Sequence, residues 1–338
     1  MLRQKISNVV EHVLDVKQLR RAPSLPRQIH LSVTDRCFLP CLHCDIWKND
    51  TKDLPTQDWL GIIDKLGAWC PNGNMNFVGG ETLLRKDLEL LVQRAASYNF
   101  TISFNTNGYL VTRERAKLLS QAGASIAYVS MDGIEKTTVD HSRGRAGSFE
   151  KAVQALSYFG ENYHIQPIVA CILHAKNADE MIPLLNWCEA RGYQLVIQPL
   201  YQNFGDVQYD PNWWRKSLFW PHQDRQKEKL FAVIESLKEA RQQGRPICNE
   251  VAQLHMMKFH FSHPVKDSGL SCRAGHSDLS FDPQGNIRLC YFLEPVGHMK
   301  DVDLQHLWSS YITMRRRWQV SRCERHCNML NCNFDQKK

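Results

Sequence analysis

The sequence predicts an α/β fold built on a parallel sheet. Short apolar, β-branched runs alternate six times with segments of helical periodicity. The chain has 338 residues, 43% of them apolar, which is enough to bury the core of such a domain and a smaller appendage. Strand–helix alternation implies parallel strands with right-handed crossovers, and six units fall short of a closed eight-stranded barrel. A partial (β/α)6 barrel and a curved open sheet are the candidates.

The elements follow in a regular order from residue 28 to residue 200. The predicted strands are 28–33, 74–78, 101–105, 125–130, 165–173 and 194–199. The predicted helices between them are 56–68, 87–98, 113–123, 147–159 and 178–191. Alternation ends in residues 201–271, a bridging segment with an aromatic stretch and an amphipathic helix closed by Gly244. We therefore divide the chain into an N-terminal helix (1–27), the α/β domain (28–200), the bridge (201–271) and a cysteine-rich segment (272–338).

Three cysteines in one short loop follow the first strand. Cys37, Cys41 and Cys44 have the spacing C-x3-C-x2-C, and the next cysteine, Cys70, lies beyond a helical stretch. A [4Fe–4S] cluster normally takes four thiolates, so three leave one iron open, like the open position of a catalytic zinc site. A structural zinc site usually has a second ligand pair nearby, which this loop lacks. Unrelated core cysteines would be an improbable coincidence at this spacing.

Glycine and polar residues follow the next three strands. The carboxyl ends of parallel strands share one edge, where barrel active sites lie. Any one of these segments by itself could be an ordinary turn, because Gly and Asn favour turns. Glu81 by itself could be an acidic residue at a helix N-terminus, where acids are favoured. Their succession at one end of the sheet predicts a binding site. The residues are Gly79, Gly80, Glu81, Asn105, Asn107 and Ser130.

Together these motifs resemble the radical SAM superfamily, over roughly residues 28–200. Its signature is the same cysteine loop with an aromatic-type residue before the last cysteine, where this chain has His43, and a GGE motif one βα unit later. The resemblance implies a partial (β/α)6 TIM-like barrel, and a [4Fe–4S] cluster whose open iron binds S-adenosylmethionine. It also implies that the GGE segment binds the amino group of that cofactor and Arg143 its carboxylate, with Arg145 as the alternative. The implied cofactor contacts are His43, Gly79, Gly80, Glu81, Asn105, Asn107, Ser130 and Arg143.

The last segment holds five cysteines, namely Cys272, Cys290, Cys323, Cys327 and Cys332. Its run DLSFDPQGNIRLC predicts a β-hairpin that turns at 283–285 and brings the first two together at its base. The segment resembles the SPASM and twitch extensions of radical SAM enzymes, which hold auxiliary clusters. Five thiols suffice for one auxiliary [4Fe–4S] cluster with one spare, the shorter twitch-like case. Which four bind, and whether an iron stays open, is not specified, and a zinc knuckle is the alternative.

Composition and charge narrow the function classes. No segment resembles a signal peptide or a membrane span, so no membrane association is expected. Twelve cysteines without a secretory signal favour a reducing compartment, and we expect the cytoplasm. The net charge of +7 is concentrated at the two ends of the chain. The arginines around the last cysteines favour charge compensation of a cluster over nucleic-acid binding.

The resemblance implies reductive cleavage of S-adenosylmethionine and hydrogen abstraction from an unactivated C–H bond by the 5′-deoxyadenosyl radical. The expected substrate is a peptide or natural product that is cross-linked, epimerised or oxidised. A sugar or aminocyclitol is the alternative substrate. An iron–sulfur electron carrier is the rival from another class, but it does not explain the cysteine loop beside the GGE segment. Epimerisation would need a thiol that donates hydrogen; Cys171 and Cys248 are the candidates, and inert buried thiols are the alternative.

Two protein partners are expected. An electron donor such as flavodoxin or ferredoxin would reduce the cluster. The 27 residues before the first strand are few for a peptide-recognition domain, so a separate recognition protein is the alternative source of peptide binding.

Overall fold

Six parallel strands form the centre of the molecule, and each lies beside its predecessor in the chain. The computed structural model describes residues 24–161, 164–203, 205, 208–265, 268–331 and 333–334. Most of the predicted N-terminal helix, and Cys332, therefore lie outside the described residues. Every predicted strand is present within one residue at each end, and the neighbour order is that of a TIM-like barrel left open. The strands are β1 Gln28–Thr34, β2 Asn74–Gly79, β3 Thr101–Thr106, β4 Ala124–Ser130, β5 Gln166–Leu173 and β6 Gln194–Pro199.

The helices that connect these strands follow the prediction, with one addition. The predicted helix 178–191 begins with a 3-10 turn, Ala178–Glu180, before its α-helical part. The additional helix has the sequence KTTVDHSR, whose two threonines and valine lower helix propensity, and it ends at Gly144 with φ 68°. The helices are α1 Thr56–Trp69, α2 Leu88–Ala96, α3 Arg113–Ala122, α4 Lys136–Arg143, α5 Ser148–Gly160 and α6 Met181–Glu189.

Strands β1, β2 and β3 each separate an apolar face from a more polar one, because successive side chains point to opposite sides of the sheet. On β1, Ile29 and Leu31 are fully buried in the hydrophobic core, whereas His30 lines a cavity on the other face. On β2, Phe77 belongs to the core and Asn76 lines the same cavity. The core therefore lies between the sheet and the helices, and the concave side of the sheet remains available for a site.

The bridge contains more helix than predicted. It comprises α7 Trp213–Lys216, α8 Asp224–Gln242 and α9 Val251–Ser262, of which α8 is the predicted amphipathic helix. Trp213 and Trp220 are buried, with their ring centroids 5.2 Å apart. These tryptophans pack within the protein and do not line the cavity.

The cysteine-rich segment continues the same sheet. Its strands are β7 Asp278–Phe281, β8 Asn286–Arg288 and β9 Gly297–His298, followed by α10 Leu304–Ser309 and α11 Tyr311–Ser321. The antiparallel β7–β8 pair confirms the predicted hairpin, whose turn includes Gly285 at φ 87°. The prediction did not include the parallel pairing of β7 with β1, which makes one nine-stranded sheet. None of the described helices is long and apolar enough to cross a lipid bilayer.

Candidate functional site

One cavity of about 1310 Å³ brings most of the predicted site residues together. It extends from the carboxyl ends of the strands along the concave face of the sheet and against the C-terminal segment. Among the predicted site residues that the structure describes, Glu81 and Cys248 do not line it. Those that do are Cys37, Cys41, His43, Cys44, Gly79, Gly80, Asn105, Asn107, Ser130, Arg143, Cys171, Cys272, Cys290, Cys323 and Cys327.

The three-cysteine loop is fixed against the end of α4. The amide of Leu42 donates to the carbonyl of Ser142 at 3.0 Å, and a Cβ on Gly144 would lie 2.3 Å from the carbonyl oxygen of Pro40. Burial raises the pKa of all three thiols, that of Cys44 to about 12. Thiols with such a pKa are neutral at pH 7, and a bound metal would have to displace their protons.

The thiols suit a cluster better than a single ion. Within the described ranges, no three His, Cys, Asp or Glu side chains come close enough together to bind one metal ion. A four-iron cluster is larger than one ion and takes its thiolates at separate corners. The thiols of Cys37, Cys41 and Cys44 are near enough to raise one another's pKa, and all three line the cavity. This donor set fits a [4Fe–4S] cluster with three protein ligands.

The two glycines after β2 allow their loop to pack against the start of the cysteine loop. A Cβ on Gly79 would lie 2.0 Å from the carbonyl oxygen of Thr34, and one on Gly80 would lie 2.3 Å from that of Arg36. The amide of Gly80 donates to Thr34 at 2.7 Å. The sequence suggested that the glycines admit a ligand. In the structure, their missing side chains let this loop pack directly against the backbone after β1, and both glycines also line the cavity.

Glu81 is held by donors from the protein itself. Its carboxylate is fully buried and accepts hydrogen bonds from the Asn107 amide at 2.7 Å, the Thr106 hydroxyl at 2.8 Å and the Leu83 amide at 3.1 Å. Burial raises the pKa of Glu81, and these donors partly oppose that shift. Glu81 therefore joins the ends of β2 and β3. Sequence inspection could not reveal this role, because the donors belong to another βα unit.

Asp132 was missed by the sequence interpretation. It is fully buried and accepts from Arg143 Nη2 at 2.8 Å, the Ser142 hydroxyl at 2.8 Å and the Ile172 amide at 3.0 Å. His43 Nε2 lies 3.9 Å from its carboxylate, and burial lowers the pKa of His43 to about 4. Asp132 thus orients Arg143 beside the cysteine loop. The available signal was an acidic residue two positions after Ser130.

Unpartnered nitrogen atoms of described side chains remain at this end of the cavity, His43 Nδ1 among them. Among the described residues, the buried atoms Asn107 Nδ2 and Arg143 Nε have no hydrogen-bond partner. Both residues line the cavity, and such donors match the carboxylate of an amino-acid ligand. Arg145 instead lies over the rings of Phe38 and Tyr109, at 5.5 and 5.1 Å from their centroids. The geometry therefore favours Arg143 over Arg145.

The C-terminal cysteines of the described part line the same cavity. Cys272, Cys290, Cys323 and Cys327 line it, as do Arg322 and Arg325. Arg325 stacks over Tyr209 at 4.4 Å, whereas Arg317 is buried and donates to the carbonyls of Gly275 and Trp308. Cys332 lies outside the described residues. Four thiols in the described part thus face the same space as the three-cysteine loop.

The two candidate hydrogen donors lie in different places. Cys171 is buried, its sulfur 3.7 Å from that of Met181 on α6, and burial raises its pKa well above the usual value. Its thiol therefore points into the core, although the residue borders the cavity. Cys248 lies beside the start of β6, where its thiol contacts Gln194 at 3.3 Å. The role of either thiol as a hydrogen donor therefore stays a prediction.

Comparison with known proteins agrees with the site. Residues 31–188 match the model of the radical SAM superfamily. The Fe-coproporphyrin III synthase of Methanosarcina barkeri is 37% identical over 128 residues, which are 37% of this chain and 32% of that protein. The mycofactocin maturase MftC of Mycolicibacterium smegmatis is 30% identical over 168 residues, 49% and 42% of the two chains. This chain spans less than half the length of these relatives.

Solved structures share the fold over nearly the whole chain. Streptococcus suis SuiB bound to its precursor peptide SuiA superposes with a TM-score of 0.65 at 15% identity, covering 93% of this chain and 71% of SuiB. anSMEcpe with bound AdoMet gives a TM-score of 0.66 at 16% identity, covering 91% and 88% of the two chains. Together with the cysteine loop and its cavity, the match identifies residues 31–188 as a radical SAM domain.

Proposed function

We propose that this protein is a radical SAM enzyme that modifies a peptide. The main observation is that the three-cysteine loop and four C-terminal cysteines line one cavity, large enough to hold a substrate between two metal groups. Relatives named as maturases, and the shared fold with a peptide-bound protein, support a peptide substrate. Cross-linking, epimerisation and oxidation all remain compatible with the site, as does a sugar or aminocyclitol substrate.

The protein's own residues bind, orient and shield the reactants. Cys37, Cys41 and Cys44 would hold the [4Fe–4S] cluster, and Asn107 and Arg143 would bind S-adenosylmethionine through their unpartnered donors. When bound, these cofactors supply a 5′-deoxyadenosyl radical that abstracts hydrogen from an unactivated C–H bond. Binding inside the cavity would shield such a species from solvent and limit side reactions.

The C-terminal cysteines would hold one auxiliary [4Fe–4S] cluster, with Arg322 and Arg325 beside it to offset its negative charge. The enzyme would work in the cytoplasm with flavodoxin or ferredoxin as electron donor. A separate protein would present the peptide.

Cofactor cleavage tests the assignment of the first cluster. Anaerobically reconstituted protein with dithionite should release 5′-deoxyadenosine from S-adenosylmethionine. The triple variant Cys37→Ala, Cys41→Ala and Cys44→Ala should release none above background, because it lacks the cluster ligands. Cys248→Ala is the matched control, since this thiol is outside the cavity. Release by the triple variant at the wild-type rate would refute the assignment.

Metal analysis tests the second cluster. Two [4Fe–4S] clusters should give about eight irons per chain. About four irons with one zinc would support the zinc alternative and exclude the auxiliary cluster. Cys272→Ala should retain cofactor cleavage and lose product formation.

The match to Fe-coproporphyrin III synthase motivates a second candidate, an iron tetrapyrrole substrate. The cavity could bind the carboxylates of such a substrate through Arg273, Arg288 and Arg322. Titration of the reconstituted protein with Fe-coproporphyrin III, followed by absorbance, distinguishes the two. Micromolar binding of this compound, which the relative's name makes its product, would favour the tetrapyrrole over the peptide.

A further inference from the structure

Four polar side chains form one row across the concave face of the sheet. Ser280 on β7 pairs with His30 on β1, His30 pairs with Asn76 on β2, and Asn76 pairs with Ser103 on β3. All four residues line the cavity. We refer to Ser280, His30, Asn76 and Ser103 as the lumen row.

The lumen row is unusual for the interior of a barrel. Side-chain layers in TIM-type barrels are normally filled by branched apolar residues. The outward neighbours along these strands, such as Leu31 and Phe77, already form the hydrophobic core. Packing of the fold therefore does not explain why four adjacent inward positions are polar.

Two buried polar atoms of the lumen row have no hydrogen-bond partner among the described residues. His30 is 7% exposed, and neither its Nε2 nor the Oδ1 of Asn76 has a hydrogen-bond partner in the described part of the chain. A buried polar atom without a partner destabilises the folded state. Because neighbouring strands lie about 4.8 Å apart, the two side chains border the same part of the cavity. Together their unpartnered atoms form a candidate binding subsite.

The four side chains of the row carry no charge at pH 7. Burial lowers the pKa of His30 to about 4, so the ring is neutral at pH 7, and the other three side chains carry no charge. An ion bound here would be desolvated without a counter-charge from the row. Asn76 Oδ1 requires a donor, and a neutral imidazole nitrogen either donates or accepts. A carboxamide or a hydroxyl meets both requirements.

We infer that the lumen row is a substrate subsite that binds an uncharged side-chain carboxamide or hydroxyl of the peptide. The inference rests on the proposed function for the existence of a peptide substrate. The contribution of Ser280 also gives the C-terminal segment a direct part in substrate recognition, because β7 completes the row beside β1.

Calorimetry with short peptides tests this inference. The probes are acetylated and amidated pentapeptides Gly-Ala-X-Ala-Gly, with X as Asn, Gln, Ser, Leu, Asp or Lys. They are titrated anaerobically into the reconstituted full chain with S-adenosylmethionine and no reductant. We expect at least about tenfold tighter binding for the best of Asn, Gln and Ser than for Leu, Asp or Lys, since a site built for hydrogen bonds rejects groups that cannot make them.

Variants then test whether this side-chain preference depends on the lumen row. His30→Leu and Asn76→Leu should each abolish it, and Asn76→Ala serves if a leucine variant does not fold. Gln198→Leu, at a cavity position outside the row, is the matched control and should preserve the preference. Equal binding of all six peptides, no binding of any, or a preference that survives both row substitutions would overturn the inference.

The outcome can be separated from that of the proposed function. Binding is measured without reductant, so a failure of cofactor cleavage would not remove a side-chain preference. Conversely, normal release of 5′-deoxyadenosine with no preference among peptides would leave the enzyme assignment standing and remove the subsite.

Discussion

Asp132 connects the cysteine loop to the end of β5, and its removal should weaken the fold. Asp132→Asn leaves the buried Arg143 without its counter-charge, so we expect the free energy of unfolding to fall by about 3 kcal/mol. Urea denaturation at pH 7 measures the change. Glu150→Gln is the matched control, because the Lys136–Glu150 pair is exposed and should contribute little. Equal effects of the two substitutions would contradict this account.

The Asp132 carboxylate also makes the stability difference between wild type and Asp132→Asn depend on pH. Burial alone would raise its pKa, but Arg143 and His43 lower the pKa of Asp132 from 3.8 to about 2. A lowered pKa stabilises the fold above pH 3.8, and the stabilisation is lost as the pH falls towards 2. The difference between wild type and Asp132→Asn should therefore shrink over this range. A constant difference in acid denaturation experiments would exclude the charge as its cause.

At the level of single residues, the sequence could identify donors but not their partners. The spacing of Cys37, Cys41 and Cys44 is local, so it could be found without a structure. The three donors to Glu81 and the contact of Gly80 with Arg36 depend on how two loops meet. The lumen row likewise depends on strand register, which no local pattern reveals.

The loop after β2 is the element most sensitive to substitution. In Gly80→Ala the new Cβ would clash with the carbonyls of Arg36 and Asp35, so the cysteine loop must move. We expect this variant to bind less than half the iron of the first cluster and to lose 5′-deoxyadenosine release. Iron analysis and cofactor cleavage measure both effects.

Gly61→Ala is the matched control for this substitution. Gly61 lies within α1, and an added Cβ would meet nothing within 4 Å. Replacing a helical glycine by alanine should raise stability by about 0.5–1 kcal/mol and leave iron binding unchanged. Full iron content in Gly80→Ala would contradict this account, because it would show that the loop after β2 can move away from the cysteine loop without loss of iron binding.

Elements with strong periodicity were predicted well, and the others were missed for identifiable reasons. The strands β1–β6 combine β-branched residues with one apolar face, and turn residues bound them. Helix α4 has few strong helix formers, and helix α9 has buried residues without a clear apolar stripe, including Gln253 and His260. Contacts from other elements stabilise both helices, as the bond between His260 and His326 illustrates.

At the scale of the whole molecule, the sheet joins segments from both ends of the described chain. Strand β7 pairs with β1, while Gln253 on α9 donates to the carbonyl of Met329. The sequence division at residue 272 therefore does not coincide with a break in the sheet. Local patterns predicted the β7–β8 hairpin but could not specify which strand its free edge would join.

Shared hydrogen bonds should make β1 and β7 unfold together. Phe281 on β7 is fully buried in the core, so Phe281→Ala should lower the free energy of unfolding by about 3–5 kcal/mol. Hydrogen exchange followed by mass spectrometry should show equal loss of protection in peptides covering 28–34 and 278–281. Tyr311→Ala, at a residue 72% exposed in the same C-terminal segment, is the control and should change neither peptide. Loss of protection in 278–281 alone would mean that the cysteine-rich segment unfolds as a separate unit, whereas loss in both would show that the auxiliary cysteines are held by the barrel sheet itself.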